Sequence, residues 1–180
     1  MSAERRVHLG KLLALVLRHR PEVAGVELDP AGWVDVDELV AGLRRGGHRV
    51  TADDVRQVVD ADGKARYELV EGRIRAAQGH SVDVELGLPA VEPPAELYHG
   101  TAARFVPAIL SQGLRPGSRQ SVHLSADVAT ARVVGRRRGE PVVLVVDAAG
   151  AHAAGQVFRR SSNGVWLTDA VPPAYLRLLT

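Results

Sequence analysis

The 180-residue sequence predicts an α+β protein built from two small lobes. Three observations predict this. Residues 1–82 carry helical apolar periods, each opened or closed by a capping signal, and end in a hairpin pattern. Residues 83–96 lose any sustained period and hold three prolines, Pro89, Pro93 and Pro94, the composition of a linker. Residues 97–180 then alternate short β-rich runs with short helical ones, so the second lobe is expected to be a mixed, strand-rich β lobe. At 46% hydrophobic residues the chain has apolar surface enough for a core.

The first helix rests on Leu9, Leu12, Leu13, Val16 and Leu17, the i, i+3, i+4 spacing of one buried face. Pro21 stops it, because proline cannot donate to the helix ladder. Gly32-Trp33-Val34 reads as a short extended piece. Asp35 and Glu38 form a capping box for a helix that runs to Gly46-Gly47, and Thr51 with Asp54 opens another carrying Val55, Val58 and Val59 on one face. Tyr67–Val70, Glu71-Gly72 and Arg73–Arg75 then make strand, turn and strand. Three helices and a terminal hairpin suggest a winged helix. Its third helix holds one arginine among three aspartates, which argues against reading a DNA groove.

In the second lobe, strand 97–99 precedes a helix over 103–112 closed by Gly113. Strand 122–124 precedes a helix that Ser125 caps and that runs to Gly135. Val142–Val146 is the strongest strand. Val157-Phe158 and Val165–Leu167 flank a turn at 161–164, and Tyr175–Leu179 is the last strand.

Composition removes several function classes. No apolar run is long enough to span a bilayer and no signal-peptide core follows Met1, so the protein is expected in the cytoplasm, without membrane association. The absence of cysteine excludes disulfides, thiolate metal sites and thiol nucleophiles, and the seven histidines show no helical metal-site spacing. Residues 1–90 carry 13 Lys+Arg against 15 Asp+Glu, a net −2, whereas residues 91–180 carry 10 against 6, a net +4. Neither lobe is uniformly basic. Of 23 cations 21 are arginine, which reflects either genome composition or a use of guanidinium forks on phosphate. Phosphate-loop, dinucleotide-fingerprint, HExxH and GxSxG motifs are all missing, so any chemistry must come from dispersed residues.

Polar or cationic groups interrupt structural patterns at Leu17-Arg18-His19, Lys64-Ala65-Arg66-Tyr67, Gln78-Gly79-His80-Ser81, Leu97-Tyr98-His99-Gly100-Thr101, Arg119 with Val122-His123-Leu124-Ser125, and Asn163-Gly164-Val165-Trp166-Leu167. Taken singly, each has a bland reading. Arg18 and His19 suit the negative end of a helix dipole; His99 and His123 suit satisfied core positions; Trp33 and Trp166 are most simply core aromatics. Phe158 is either core or a stacking surface, Gly100 and Gly164 suit turns, and Arg136-Arg137-Arg138 is either a solvated helix end or a track for an RNA backbone.

Together, in this order and over nearly the whole chain, these motifs resemble the NAD-dependent RNA 2'-phosphotransferases. The resemblance implies a winged-helix lobe (1–82), a linker (83–96) and an ADP-ribosyltransferase-like lobe (97–180), with RNA bearing a 2'-phosphate and NAD as substrates, no metal, and a monomer. It implies two steps. The 2'-phosphate attacks the nicotinamide-bearing ribose carbon of NAD, leaving ADP-ribosylated RNA. The neighbouring ribose hydroxyl then attacks phosphorus, giving 2'-hydroxyl RNA and ADP-ribose 1'',2''-cyclic phosphate.

Arg18, His19, Arg66 and Arg119 match the family's catalytic tetrad. Three guanidiniums can clamp a phosphate dianion, and His19 can carry the proton between attacking and departing oxygens. The positions carried over for NAD are His99, Gly100, Thr101, His123, Ser125, Phe158, Asn163, Gly164 and Val165. Val165 stands where protein-modifying relatives place Glu; a phosphate with a second pKa of roughly 6 is already dianionic and needs little help from a base. Ser121 stands where the family pattern has a second histidine. The competing readings are an ADP-ribosyltransferase that caps terminal nucleic-acid phosphates and stops after the first step, and a winged-helix regulator with a ligand-sensing second lobe.

Overall fold

The computed structural model describes residues 1–179; Thr180, the last residue of the predicted second lobe, and the side chain of Arg138 lie outside the described residues. The chain forms two compact units, Met1–Gly87 and Leu88–Thr180.

In the first unit, α1 (Ala3–Arg18) starts at Ser2, whose hydroxyl accepts from the Arg5 N–H. It buries Leu9, Leu13, Val16 and Leu17, with Leu12 only partly covered. The chain then turns through a short 3-10 segment at Pro21–Val23. Strand β1 (Val34–Asp35) leads directly into α2 (Val36–Arg45), where the Asp35 carboxylate accepts from the N–H groups of Asp37 and Glu38. The reciprocal capping box forms one helix later: Thr51 and Asp54 exchange side-chain-to-backbone bonds at the start of α3 (Ala52–Asp60).

Strands β2 (Tyr67–Val70) and β3 (Arg73–Ala76) pair antiparallel, and the turn between them has positive φ at both Glu71 (48°) and Gly72 (79°), the twist that suits a two-residue hairpin. β1 adds to the far side of β3, giving the order β1-β3-β2. Leu13, Leu17, Leu39, Leu43, Val55 and Ile74 meet in one core.

The second unit distributes its strands between two three-stranded sheets. One holds β4 (Glu96–Ala102), β6 (Pro141–Asp147) and β9 (Leu176–Leu178), in the order β4-β6-β9. The other holds β5 (Val122–Leu124), β8 (Trp166–Thr168) and β7 (Arg159–Arg160), in the order β5-β8-β7. Among the described residues every strand pairing is antiparallel. The reason is topological: successive strands β4, β5 and β6 change sheet each time, so no helix returns the chain parallel to the strand it left. The helices are α4 (Val106–Gln112), preceded by a 3-10 turn at Ala103–Phe105, α5 (Val128–Gly135) and α6 (Ala148–Ala153).

Three expectations are corrected. Asp127, not Ser125, caps α5, because the Ser125 backbone is committed in both directions to Tyr98. β7 begins at Arg159 rather than Val157, since Phe158 gives its carbonyl to the Val91 N–H. Tyr175 belongs to a 3-10 turn ahead of β9. Residues 83–96 are shared between the units: Glu85 bonds Pro30 in the first, and Ala90 bridges Arg159 in the second. No helix among the described residues is long and apolar enough to cross a membrane.

Candidate active site

In the first unit the geometry converges on the end of α1. Arg18 is its last residue and His19 its C-cap, held by a bond from the His19 N–H to the Leu15 carbonyl. Arg66 enters from the segment before β2, which is set by a turn at Asp62-Gly63 with positive φ at Ala65 (42°). The Asp62 carboxylate accepts from the Arg66 N–H and pairs with its guanidinium at 3.1 Å. Arg18 Nη2 donates to the Arg66 carbonyl at 3.5 Å, so the two arginines are linked through backbone as well as adjacent in charge. His19 Nδ1 lies 2.9 Å from Ser81 Oγ.

Two buried groups lie behind them. The Tyr67 hydroxyl donates to the Gly10 carbonyl at 2.6 Å; burial pushes its pKa up against the opposing pull of Arg18 and Arg66, so it stays a neutral strut. His80 is 2% exposed, and burial, followed by the charges of Arg18, His19 and Arg75, holds its pKa down to about 4. It therefore adds no charge to the cluster near neutrality. Arg20, the third ionisable group after the helix, pairs with Glu22 at the surface.

In the second unit, β4 carries His99, Gly100 and Thr101, and β5 carries His123. His99 Nδ1 lies 3.1 Å from the His123 carbonyl and His123 Nδ1 2.9 Å from the Ser121 carbonyl. A carbonyl only accepts, so both rings carry a proton on Nδ1. Ser121 acts here through its backbone, so the departure from the family pattern at its side chain leaves His123 oriented.

Ser125 exchanges backbone bonds with Tyr98, and Leu124 lies opposite Trp166, which brings His99, Ser125 and Val165 to one end of the strands. The turn before Val165 is held by buried Ser161, whose hydroxyl donates within the turn and accepts from the Val165 N–H. Gly164 there has φ +81°. Thr101 is buried. Gly100 is required by packing, since a Cβ would collide with the Ala131 backbone of α5. Arg119 sits on the exposed loop ahead of β5.

Two aromatic readings change. Phe158 is wholly buried, its ring at 71° to that of His152; it has no exposed face for a nicotinamide or adenine ring and belongs to the core. Trp33 is only partly buried and stacks under the Arg75 guanidinium at 4.6 Å, whereas Trp166 is core. Sequence reasoning missed Asp62, and it singled out Ser81 and Ser161 only within their segments, without a role for either side chain. Asp62 had a weak signal, an aspartate-glycine turn four residues before Arg66.

A family model described as RNA 2'-phosphotransferase, Tpt1 / KptA family, matches residues 4–170. The chain belongs to this family. It is a member of the RNA 2'-phosphotransferases, which are transferases, and relatives agree along nearly their whole length. A protein of Hahella chejuensis named "Probable RNA 2'-phosphotransferase" is 53% identical over 171 residues, 94% of this chain and 92% of its own. Proteins of the same name from Agrobacterium fabrum (55% over 168 residues, 92% and 90%) and Streptomyces griseus (50% over 187 residues, 99% and 99%) are similar to the same extent. The match spans both units, so all six motifs lie in RNA 2'-phosphotransferase sequence.

Proposed function

We propose that this chain removes an internal 2'-phosphate from RNA with NAD as co-substrate, giving 2'-hydroxyl RNA, nicotinamide and ADP-ribose 1'',2''-cyclic phosphate. The observation that carries this is the cluster at the end of α1, where Arg18 and Arg66 are tied together beside His19 in a chain of the RNA 2'-phosphotransferase family. Two guanidiniums held in place offer paired N–H donors to phosphate oxygens and lose little on reorganisation as charge builds there. Arg119 is assigned to the same task on the resemblance. We assign the first unit as a winged helix, supported by its three helices and hairpin, and the second as an ADP-ribosyltransferase-like lobe, supported by its paired antiparallel sheets.

NAD supplies the acceptor ribose carbon and the nicotinamide leaving group. The second unit suits such a ligand: bonds from Nδ1 to backbone carbonyls fix the rings of His99 and His123, and the turn with Asn163, Gly164 and Val165 is fixed by Ser161. Gly100 and Ser125 keep these elements together. In the second step His19 takes the proton of the attacking ribose hydroxyl and delivers one to the departing RNA 2'-oxygen.

The test gives the protein an oligonucleotide with an internal 2'-phosphate, with and without NAD. Loss of the phosphate with formation of the cyclic product, only when NAD is present, is expected. Loss without NAD, or no reaction with it, overturns the proposal; ADP-ribosylated RNA as the end product points to the one-step transferase. His19→Ala should slow resolution of the intermediate by roughly 10²- to 10⁴-fold, and a variant that resolves it at normal speed removes His19 from this role.

A further inference from the structure

The loop Gln78-Gly79-His80-Ser81 stands out in the sequence, yet the proposed reaction leaves it without a task. It is built against the end of α1. The Ser81 N–H donates to the Arg18 carbonyl at 2.8 Å and the Val82 N–H reaches the same oxygen at 3.4 Å, satisfying a carbonyl that the helix end would leave open. Gly79, at φ +93°, comes so near Arg18 that a Cβ there would lie 3.6 Å from Nη1. His80 is buried beside Gly32 and so anchors the loop from below. From this base the Ser81 hydroxyl reaches His19 Nδ1 at 2.9 Å.

A serine hydroxyl has one proton to give. Ser81 Oγ also lies 3.5 Å from the Arg18 carbonyl, which can only accept. When the proton points there, the oxygen lone pairs face Nδ1, and Nδ1 then carries the hydrogen. We propose that Ser81 is a positioning residue for His19: its hydroxyl accepts from Nδ1–H, fixes the plane of the ring and makes Nε2 the nitrogen that exchanges protons with substrate. This rests on the assignment of His19 as proton carrier. The attacking hydroxyl then gives its proton to Nε2 as the new O–P bond forms. The imidazolium returns that proton to the RNA 2'-oxygen as its bond to phosphorus breaks, and Ser81 stabilises the imidazolium between the two events.

His19 is exposed, and neutral histidine in water prefers its proton on Nε2. An Nδ1–H ring at this position is therefore a measurable departure. The test uses Ser81→Ala and Ser81→Thr in the full chain, with two readouts. In 15N-histidine spectra recorded near pH 9, about 2.5 units above the ordinary imidazole pKa, the His19 signal is identified by its loss in His19→Gln. Wild type and Ser81→Thr should show Nδ1–H, and Ser81→Ala a return toward Nε2–H. In single-turnover assays Ser81→Ala should slow cyclic-phosphate formation by roughly 10- to 100-fold, with KM for RNA unchanged and the acid limb of the pH–rate profile displaced. Ser81→Thr should restore the rate. An Nε2–H ring in wild type, or an unaltered tautomer and rate in Ser81→Ala, overturns the proposal. If the wild-type protein does not release phosphate from RNA with NAD, the underlying function fails, and the spectra, which need no substrate, still judge the contact between Ser81 and His19.

Discussion

Three ionisable side chains follow one another at the end of α1, and their neighbours give them different fates. Arg18 is tied to the Arg66 carbonyl, His19 to Ser81, and Arg20 to the surface carboxylate of Glu22. Beneath them His80 is held neutral, its pKa brought from 6.5 to about 4 by burial first and by Arg18, His19 and Arg75 second. The consequence for stability has a definite sign. The unfolded chain takes up a proton below its ordinary value, whereas the fold does so only near pH 4, so stability is complete above pH 6.5 and falls as pH drops from 6.5 toward 4. The loss across the whole interval is about 3 kcal/mol. Urea denaturation at pH 7 and pH 4.5 should show His80→Leu losing less stability on acidification than wild type; equal losses would remove His80 as the source. Arg18, Arg66 and the histidines were legible as residue types at conspicuous places. The pairing of Arg66 with Asp62 was not, because it depends on the left-handed conformation of Ala65, which that residue type does not advertise.

At the scale of elements, caps and periods carried most of the information. α1, α2 and α3 stand where apolar spacing and capping residues put them, and the β2–β3 hairpin turns at Glu71-Gly72 as its residues suggest. The box at Thr51 satisfies the N–H groups of Thr51 and Asp54 at the start of α3, and Thr51→Ala should cost about 1 kcal/mol, measured as a lowered denaturation midpoint with an unchanged slope. Asp54 also binds Arg5 at 3.1 Å, which ties the start of α3 to the start of α1 and explains why an acidic residue is retained there at 8% exposure. Expectations failed where backbone bonds, not side chains, decide a boundary. The exchange between Ser125 and Tyr98 moved the start of α5 to Asp127, and the six-residue α6 is too short to show a period. At Gly100, which the sequence offered for a turn or for NAD, the structure supplies a packing reason, the close passage of α5 over β4.

At the scale of the whole molecule the chain makes two cores, one around Leu13, Leu39 and Val55 and one around Leu97, Leu144 and Phe158. Each unit holds one of the two tryptophans, Trp33 in the first and Trp166 in the second, so each core has its own optical reporter. Leu13→Ala and Leu144→Ala each remove a side chain with no exposed surface, and each should cost about 2–5 kcal/mol. In backgrounds that keep a single tryptophan, Leu13→Ala should lower the midpoint read by Trp33 and Leu144→Ala that read by Trp166. A loss below about 1 kcal/mol at either site would contradict its place in a packed core. The antiparallel pairing of the second unit belongs to this scale as well, since it follows from strands changing sheets, a relation between segments dozens of residues apart.

The sequence by itself determined the α+β class, the change of pattern between residues 83 and 96, the three helices with their caps, and six motifs specific enough to point to the family to which the chain belongs. These are properties of residue type and short spacing, and short-range physics suffices to express them. Tertiary structure alone decided that Ser81 touches His19 across 62 residues, that Asp62 braces Arg66, that His80 stays neutral and that Phe158 has no face to offer a ligand. Each depends on which backbone passes close by and on how much water it excludes, and neither quantity is encoded in the spacing of residues along the chain.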